Sequence, residues 1–233
     1  MRGERLHGST ADPPSRVWYA SYGSNLWRPR FERSLHGGIP RGGRRRYPGA
    51  RDRTPPTGDR AFTLPFRLRF GGASRTWGGG MAFVDTTVRG HVLARAYRIS
   101  VQQFADIHAQ ENGGAADAAD LAAIDDGGHV IAGRGNYPVI VRCGSLDGQP
   151  VFTFTTERLP SRRSPAAMYV RTIAAGLAAA HGLDVTPIVD YLRAAPAVAA
   201  SYDPEALSRV VSAGVADASD DAIVAPPRHS SPS

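Results

Sequence analysis

Val17-Trp18-Tyr19-Ala20 is an unbroken apolar run that stops at Ser21-Tyr22-Gly23-Ser24-Asn25. A run so short, closed by Gly, Ser and Asn, predicts a buried strand that breaks into a loop. Residues 26–35 predict a short helix with Pro29 in its first turn, where a missing N–H is harmless. Phe66, Leu68 and Phe70 then alternate with Arg67 and Arg69, the period of a half-buried strand within residues 62–70. Residues 77–84 predict a strand entered through Gly78-Gly79-Gly80, and residues 92–99 another. Ser100 followed by Gln103 forms a capping-box pattern, and Val101, Phe104 and Ile107 repeat at helical spacing. Asn112-Gly113-Gly114 ends that helix as a left-handed cap would. Residues 137–143 and 151–156 predict a hairpin across 144–148. Ser164-Pro165 opens a helix that Gly182 closes, with Pro at its first position, and a further helix covers roughly residues 186–194.

Strands, one helix, more strands and then helices predict an α+β fold. The best fit is a small mixed, mostly antiparallel β-barrel flanked by helices. A doubly wound sheet would need alternating strand–helix units, which the order lacks. The domain is expected over residues 16–213. Residues 1–15 and 214–233 are polar or small and are expected to be disordered. Residues 113–136 form an Ala/Asp/Gly-rich insert.

Composition narrows the function. The chain has 233 residues, 42% of them hydrophobic, enough for one proper core. Its formal charge is +7, and all 28 basic side chains are arginine. Arginine is therefore used everywhere, and an arginine fork carries little information by itself. The densest stretch, Arg41 to Arg53, is expected to be a solvated loop, with contact to an anion as the second reading. No apolar run reaches the roughly 18–20 residues of a membrane span, and the polar start has no secretory core. Cys143 stands alone, so no internal disulfide or four-cysteine zinc site can form. These features point to the cytoplasm. The seven histidines lack metal-ligand spacing, and the nucleophile elbow, phosphate loop and dinucleotide fingerprint are missing. A zinc-dependent deacetylase also lacks its Asp/His ligand set. No cofactor or metal is expected, nucleic acid is not an expected partner, and the oligomeric state is left open.

Two features could carry chemistry. A Gly-Ser-Asn bend after a buried strand turns several N–H groups to one side, which suits a carboxylate or an oxyanion. A plain turn fits the same residues. Glu111 lies seven residues after Phe104, on the apolar face of its helix and at the helix's negative end. Both circumstances raise its proton affinity toward the range of a general base and acid. A solvent-facing helix-end glutamate fits that position too.

Tyr22-Gly23-Ser24-Asn25-Leu26 on a first strand resembles the motif of the γ-glutamylcyclotransferase superfamily (AIG2-like, BtrG-like). Four further segments resemble that family in the same order. They are Ser74 to Ala82 with its Trp and glycines, the helix ending Ala109-Gln110-Glu111, Tyr137 to Val141, and Ser164-Pro165 through Tyr169 to Gly176. The resemblance spans about residues 17–195. It implies cyclisation of a γ-glutamyl amide to 5-oxoproline, with Glu111 as acid/base and no cofactor. It also implies a small-molecule γ-glutamyl substrate bound by Tyr22, Gly23, Ser24, Asn25, Leu26 and Tyr169. Asn112 departs from the family pattern, in which glycine follows the glutamate; this and the insert put the identity of the substrate in doubt. Two other functions stay open on the same residues: a ligand-binding module without turnover, and another amide-cleaving or acyl-transfer enzyme.

Overall fold

The computed structural model of the chain describes residues 15–114 and 121–224, with side chains described through residue 220. Its strands are β1 (Arg16–Ser21), β2 (Gly58–Gly71), β3 (Met81–Ser100), β4 (His129–Ile131), β5 (Val139–Leu146) and β6 (Gln149–Thr155). Its helices are α1 (Arg28–His36), α2 (Val101–Asn112), α3 (Ala167–His181), α4 (Val185–Arg193), α5 (Pro196–Ala199) and α6 (Pro204–Val224).

The strands form one sheet in the order β2-β3-β1-β6-β5-β4. Every pair is antiparallel except β1 with β6, so the sheet is mixed and mostly antiparallel, as expected. Its ladders run from β2 to β4 without joining those two edges, so the strands do not close into a barrel. The central strand β1 is buried on both faces, which is why Val17 to Ala20 reads as continuously apolar. Val17 and Tyr19 face one core with Phe31 of α1 and Phe104 and Ile107 of α2. Trp18, Ala20 and Tyr22 face the other, with Ile173 of α3, Ile188 of α4 and Leu207 and Val211 of α6.

The two strands predicted at 77–84 and 92–99 are one, β3, which runs for 20 residues. Its polar middle reads as a loop in sequence, but it stays paired with β2 through register shifts around Phe66. Pro65 sits at that irregularity on an edge strand, where a missing N–H is tolerated. The hairpin turn is tighter than predicted. Asp147 (φ 49°) and Gly148 (φ 71°) are its two central residues, both left-handed as a type I′ turn requires. Helix α3 starts at Ala167, so Pro165 precedes the helix and is not its first residue.

The tail expected to be disordered from Gly214 is in fact helical through Val224. Small residues hide its packing. At Gly214 a Cβ would strike Arg171 O and Ala174 Cβ, so α6 lies directly on α3. Three residues on, the buried Asp217 carboxylate accepts hydrogen bonds from Arg171 Nη2 at 2.7 Å and Arg41 Nη1 at 2.9 Å. The disorder expected for residues 1–14 and 225–233 falls outside the described residues.

Candidate active site

The C-terminal end of β1 is where the two cores meet, and there the chain bends. Ser24–Leu26 makes one 3-10 turn, with Leu26 N–H donating to Gly23 O at 3.0 Å and Trp27 N–H to Ser24 O at 3.2 Å. The N–H groups of Ser24 and Asn25, at the start of the turn, have no partner within it. The buried Tyr97 hydroxyl donates to Asn25 O at 2.8 Å and fixes the bend from below. Tyr22 donates its hydroxyl to Phe154 O at 2.6 Å. The bend is thus held rigidly before any ligand arrives.

Glu111 is brought to this bend by α2. The helix begins with the predicted capping box at Ser100 and Gln103, and Gly113 (φ 69°) ends it. Phe104 and Ile107 anchor its inner face in the core, which turns Glu111 inward one to two turns later. Tyr22, Gly23, Ser24, Asn25, Glu111 and Tyr169 all line one cavity of about 50 Å³. A second cavity of about 50 Å³ adjoins it and shares Ser24, Glu111, Tyr137 and Tyr169, with Arg45 and Arg75 on its outer wall. Glu111 therefore lines both cavities, the second of which also carries two arginines.

Burial pushes the Glu111 carboxyl above the ordinary carboxylate value. Arg30, Arg45 and a hydrogen bond from the Asn25 side chain pull the other way. The side chain keeps 20% of its surface open. This is a carboxyl with a raised affinity for a proton and access to a ligand.

Tyr169 lines both cavities from α3. Its hydroxyl accepts from Ala82 N–H at 3.2 Å, and its ring stacks on Trp77 with centroids 5.8 Å apart. A Cβ on Gly23 would fall 2.8 Å from the Tyr169 hydroxyl, so this contact requires glycine at 23. Leu26 is the exception among the predicted site residues. Its side chain is fully buried in the core and does not line the cavity. It is a packing anchor, seated directly against Gly176 of α3.

Tyr137, Asn112 and Arg30 were not among the residues expected to form the site. Tyr137 lines both cavities and donates its hydroxyl to Ala82 O at 2.9 Å. It is held by Asn112, whose side chain accepts from Tyr137 N–H at 2.8 Å and donates to Tyr137 O at 3.0 Å. His108 reaches the same carbonyl at 2.9 Å. Asn112 thus ties the end of the insert to the helix that carries Glu111. The third is Arg30, 2% exposed, with Nη2 4.0 Å from Glu111 Oε1. Of the arginine-rich stretch, Arg45 turns inward and donates to Gln110 O at 3.0 Å.

No protein-family model matches the chain. Solved structures similar to it include a gamma-glutamyl cyclotransferase, at TM-score 0.46 and 16% identity over 76% of this chain and 86% of that one. Another is an uncharacterized protein from Homo sapiens, at TM-score 0.45 and 16% identity over 76% of this chain and 87% of that one. At such TM-scores and identities these likenesses carry no argument about this chain's chemistry. Histone deacetylase 5 of Arabidopsis thaliana is 36% identical over 185 residues, which cover 69% of this chain and 28% of that protein. The chain thus spans well under a third of that relative's length. Among the described residues no three His, Cys, Asp or Glu side chains converge as a metal ion would require. No described helix is long and apolar enough to cross a membrane.

Proposed function

We propose that the chain is a γ-glutamylcyclotransferase-type enzyme that converts a γ-glutamyl amide to 5-oxoproline and a free amine. The observation that carries this reading is that Glu111 lines the same cavity as the Tyr22–Asn25 bend. In the reaction the substrate's α-nitrogen attacks its own γ-carbonyl carbon. A C–N bond forms within the ring, the C–N bond to the leaving amine breaks, and no outside nucleophile is consumed.

The chain's task is then to fold the substrate and move one proton. A ring-like pose held against the bend supplies proximity, worth several kcal/mol in well-oriented cases. The Ser24 and Asn25 N–H groups face the oxygen on which charge develops. Glu111 takes the proton released from the α-nitrogen and returns it to the departing nitrogen. Tyr169 and Tyr137 wall the chamber and exclude water. Ser24 has no covalent role in this scheme, and the step needs neither metal nor cofactor. Burial pushes the lone Cys143 thiol up to about 12, so it stays protonated and takes no part as a nucleophile.

A panel of γ-glutamyl amides, read for products, tests the reading. Release of 5-oxoproline with stoichiometric amine is the expected result. Release of glutamate would make the protein an amide hydrolase instead. Ligand binding with neither product would make it a binding module. A mass shift of an acyl group on Ser24 would also contradict the scheme.

A further inference from the structure

The least expected residue of the site is Arg30. Its guanidinium side chain is 2% exposed, a cation taken almost wholly out of water. Its polar contacts are few. Nη1 donates to Ser34 Oγ at 3.1 Å, the guanidinium lies 4.3 Å from the centre of the Tyr47 ring, and Nε has no partner. Glu111 is the carboxylate within ion-pair distance of it among the described residues, at 4.0 Å. A buried cation with one carboxylate in reach favours that carboxylate's charged form.

Arg30 lines neither cavity. It sits behind Glu111, on α1, and cannot itself hold substrate. Its place answers a specific need of the scheme above. A glutamate buried at the negative end of a helix drifts toward its neutral form, which cannot accept a proton.

We propose that Arg30 is a positioning residue that keeps Glu111 charged and turned toward the bend, ready to act as base. The inference rests on the cyclotransferase reading of the site. The other groups facing Glu111 do not duplicate this role. Asn25 on the bend is neutral, and Tyr19 of β1, Tyr47 of the arginine loop, Tyr137 before β5 and Tyr169 of α3 are all held protonated by burial. Arg45 is the second cation, but it is half-exposed and tied to Gln110 O.

The test uses the full chain with Arg30→Met, Arg30→Gln and Arg30→Lys. Two readouts are taken: the pH profile of kcat/KM for 5-oxoproline release, and the carboxyl carbon resonance of Glu111 titrated by NMR. In the two neutral variants the acid limb and the Glu111 midpoint should both rise by about 1–3 pH units. Above the shifted limb, KM should match the parent's, because Arg30 does not touch substrate. Arg30→Lys should cancel most of that rise. Gln can keep the Ser34 hydrogen bond, so it carries the test if Met does not fold. A folded neutral variant with an unmoved Glu111 midpoint overturns the proposal, even if its rate falls at every pH. If the parent itself releases no 5-oxoproline, the cyclotransferase reading fails; the resonance still decides whether Arg30 sets the charge of Glu111.

Discussion

Gly176 of α3 lies directly against the backbone of Leu26. A Cβ at 176 would fall 2.6 Å from both Leu26 C and Trp27 N, closer than such atoms approach. The bend that carries the site is therefore seated on the bare backbone of a helix. The same helix presents Tyr169 two turns earlier, so one rigid element sets both the floor and one wall of the chamber.

Gly176→Ala should accordingly push the bend off its seat. Overpacking of this kind costs about 1–3 kcal/mol, with larger values where backbone cannot move. The expected outcome is a lower Tm together with a raised KM, because the Ser24 and Asn25 N–H groups are displaced. Thermal melts and substrate saturation curves check it. An alanine variant with parental Tm and KM would mean that the bend is not set by this contact.

The end of the fold can be tested by length. A chain stopped after residue 213 loses Asp217, on which Arg41 and Arg171 both converge. Both arginines keep contact with solvent, so the loss is moderated; about 1–3 kcal/mol is expected from a partly buried, charge-assisted network. A chain stopped after residue 224 keeps Asp217 and should melt higher than the shorter one. Equal stability of the two truncations would contradict the docking of α6 on α3.

The strands and helices that were legible in the sequence owe it to local signals. The capping box at Ser100 and Gln103 and the left-handed Gly113 mark α2 to within a residue, and α2 is what delivers Glu111. The bend was legible because Gly23, Ser24 and Asn25 cannot extend a buried strand. What stayed hidden depends on partners far away in the chain. Asp85 to Gly90 reads as a break, and residues 86–88 do leave the ladder, yet Asp85 and Arg89 pair with Arg67 and Phe66 of β2 on either side of them. Gly214 to Val224 reads as a loose tail because its small residues look uninformative until α3 lies against them. Arg30 was invisible because every cation in the chain is arginine, and no local pattern tells the one buried beside a carboxylate from the rest. Leu26 was over-read, since the motif continues past the residues that face the cavity.

Burial of Glu111 has a consequence for stability. Its affinity for a proton is raised in the folded chain, chiefly by desolvation, so the fold favours the neutral form. The contribution is favourable at acid pH and is lost as pH rises through the folded-state value, above the ordinary carboxylate range. Glu111→Gln mimics the neutral form at every pH. Its Tm should exceed the parent's near pH 8 by roughly a few °C, and the difference should close as pH falls below the ordinary carboxylate value. A gap that widens on acidification would reverse the sign and show the carboxylate to be stabilised by its surroundings.

Proton transfer by a side chain that shares a chamber with a rigid turn of amides is the centre of the account, and turnover by Glu111→Gln measures it most directly. With a γ-glutamyl amide that the parent cyclises, the folded variant should release 5-oxoproline about 10²–10⁴-fold more slowly. Release at the parental rate would leave Glu111 without a role in the chemistry and contradict the account.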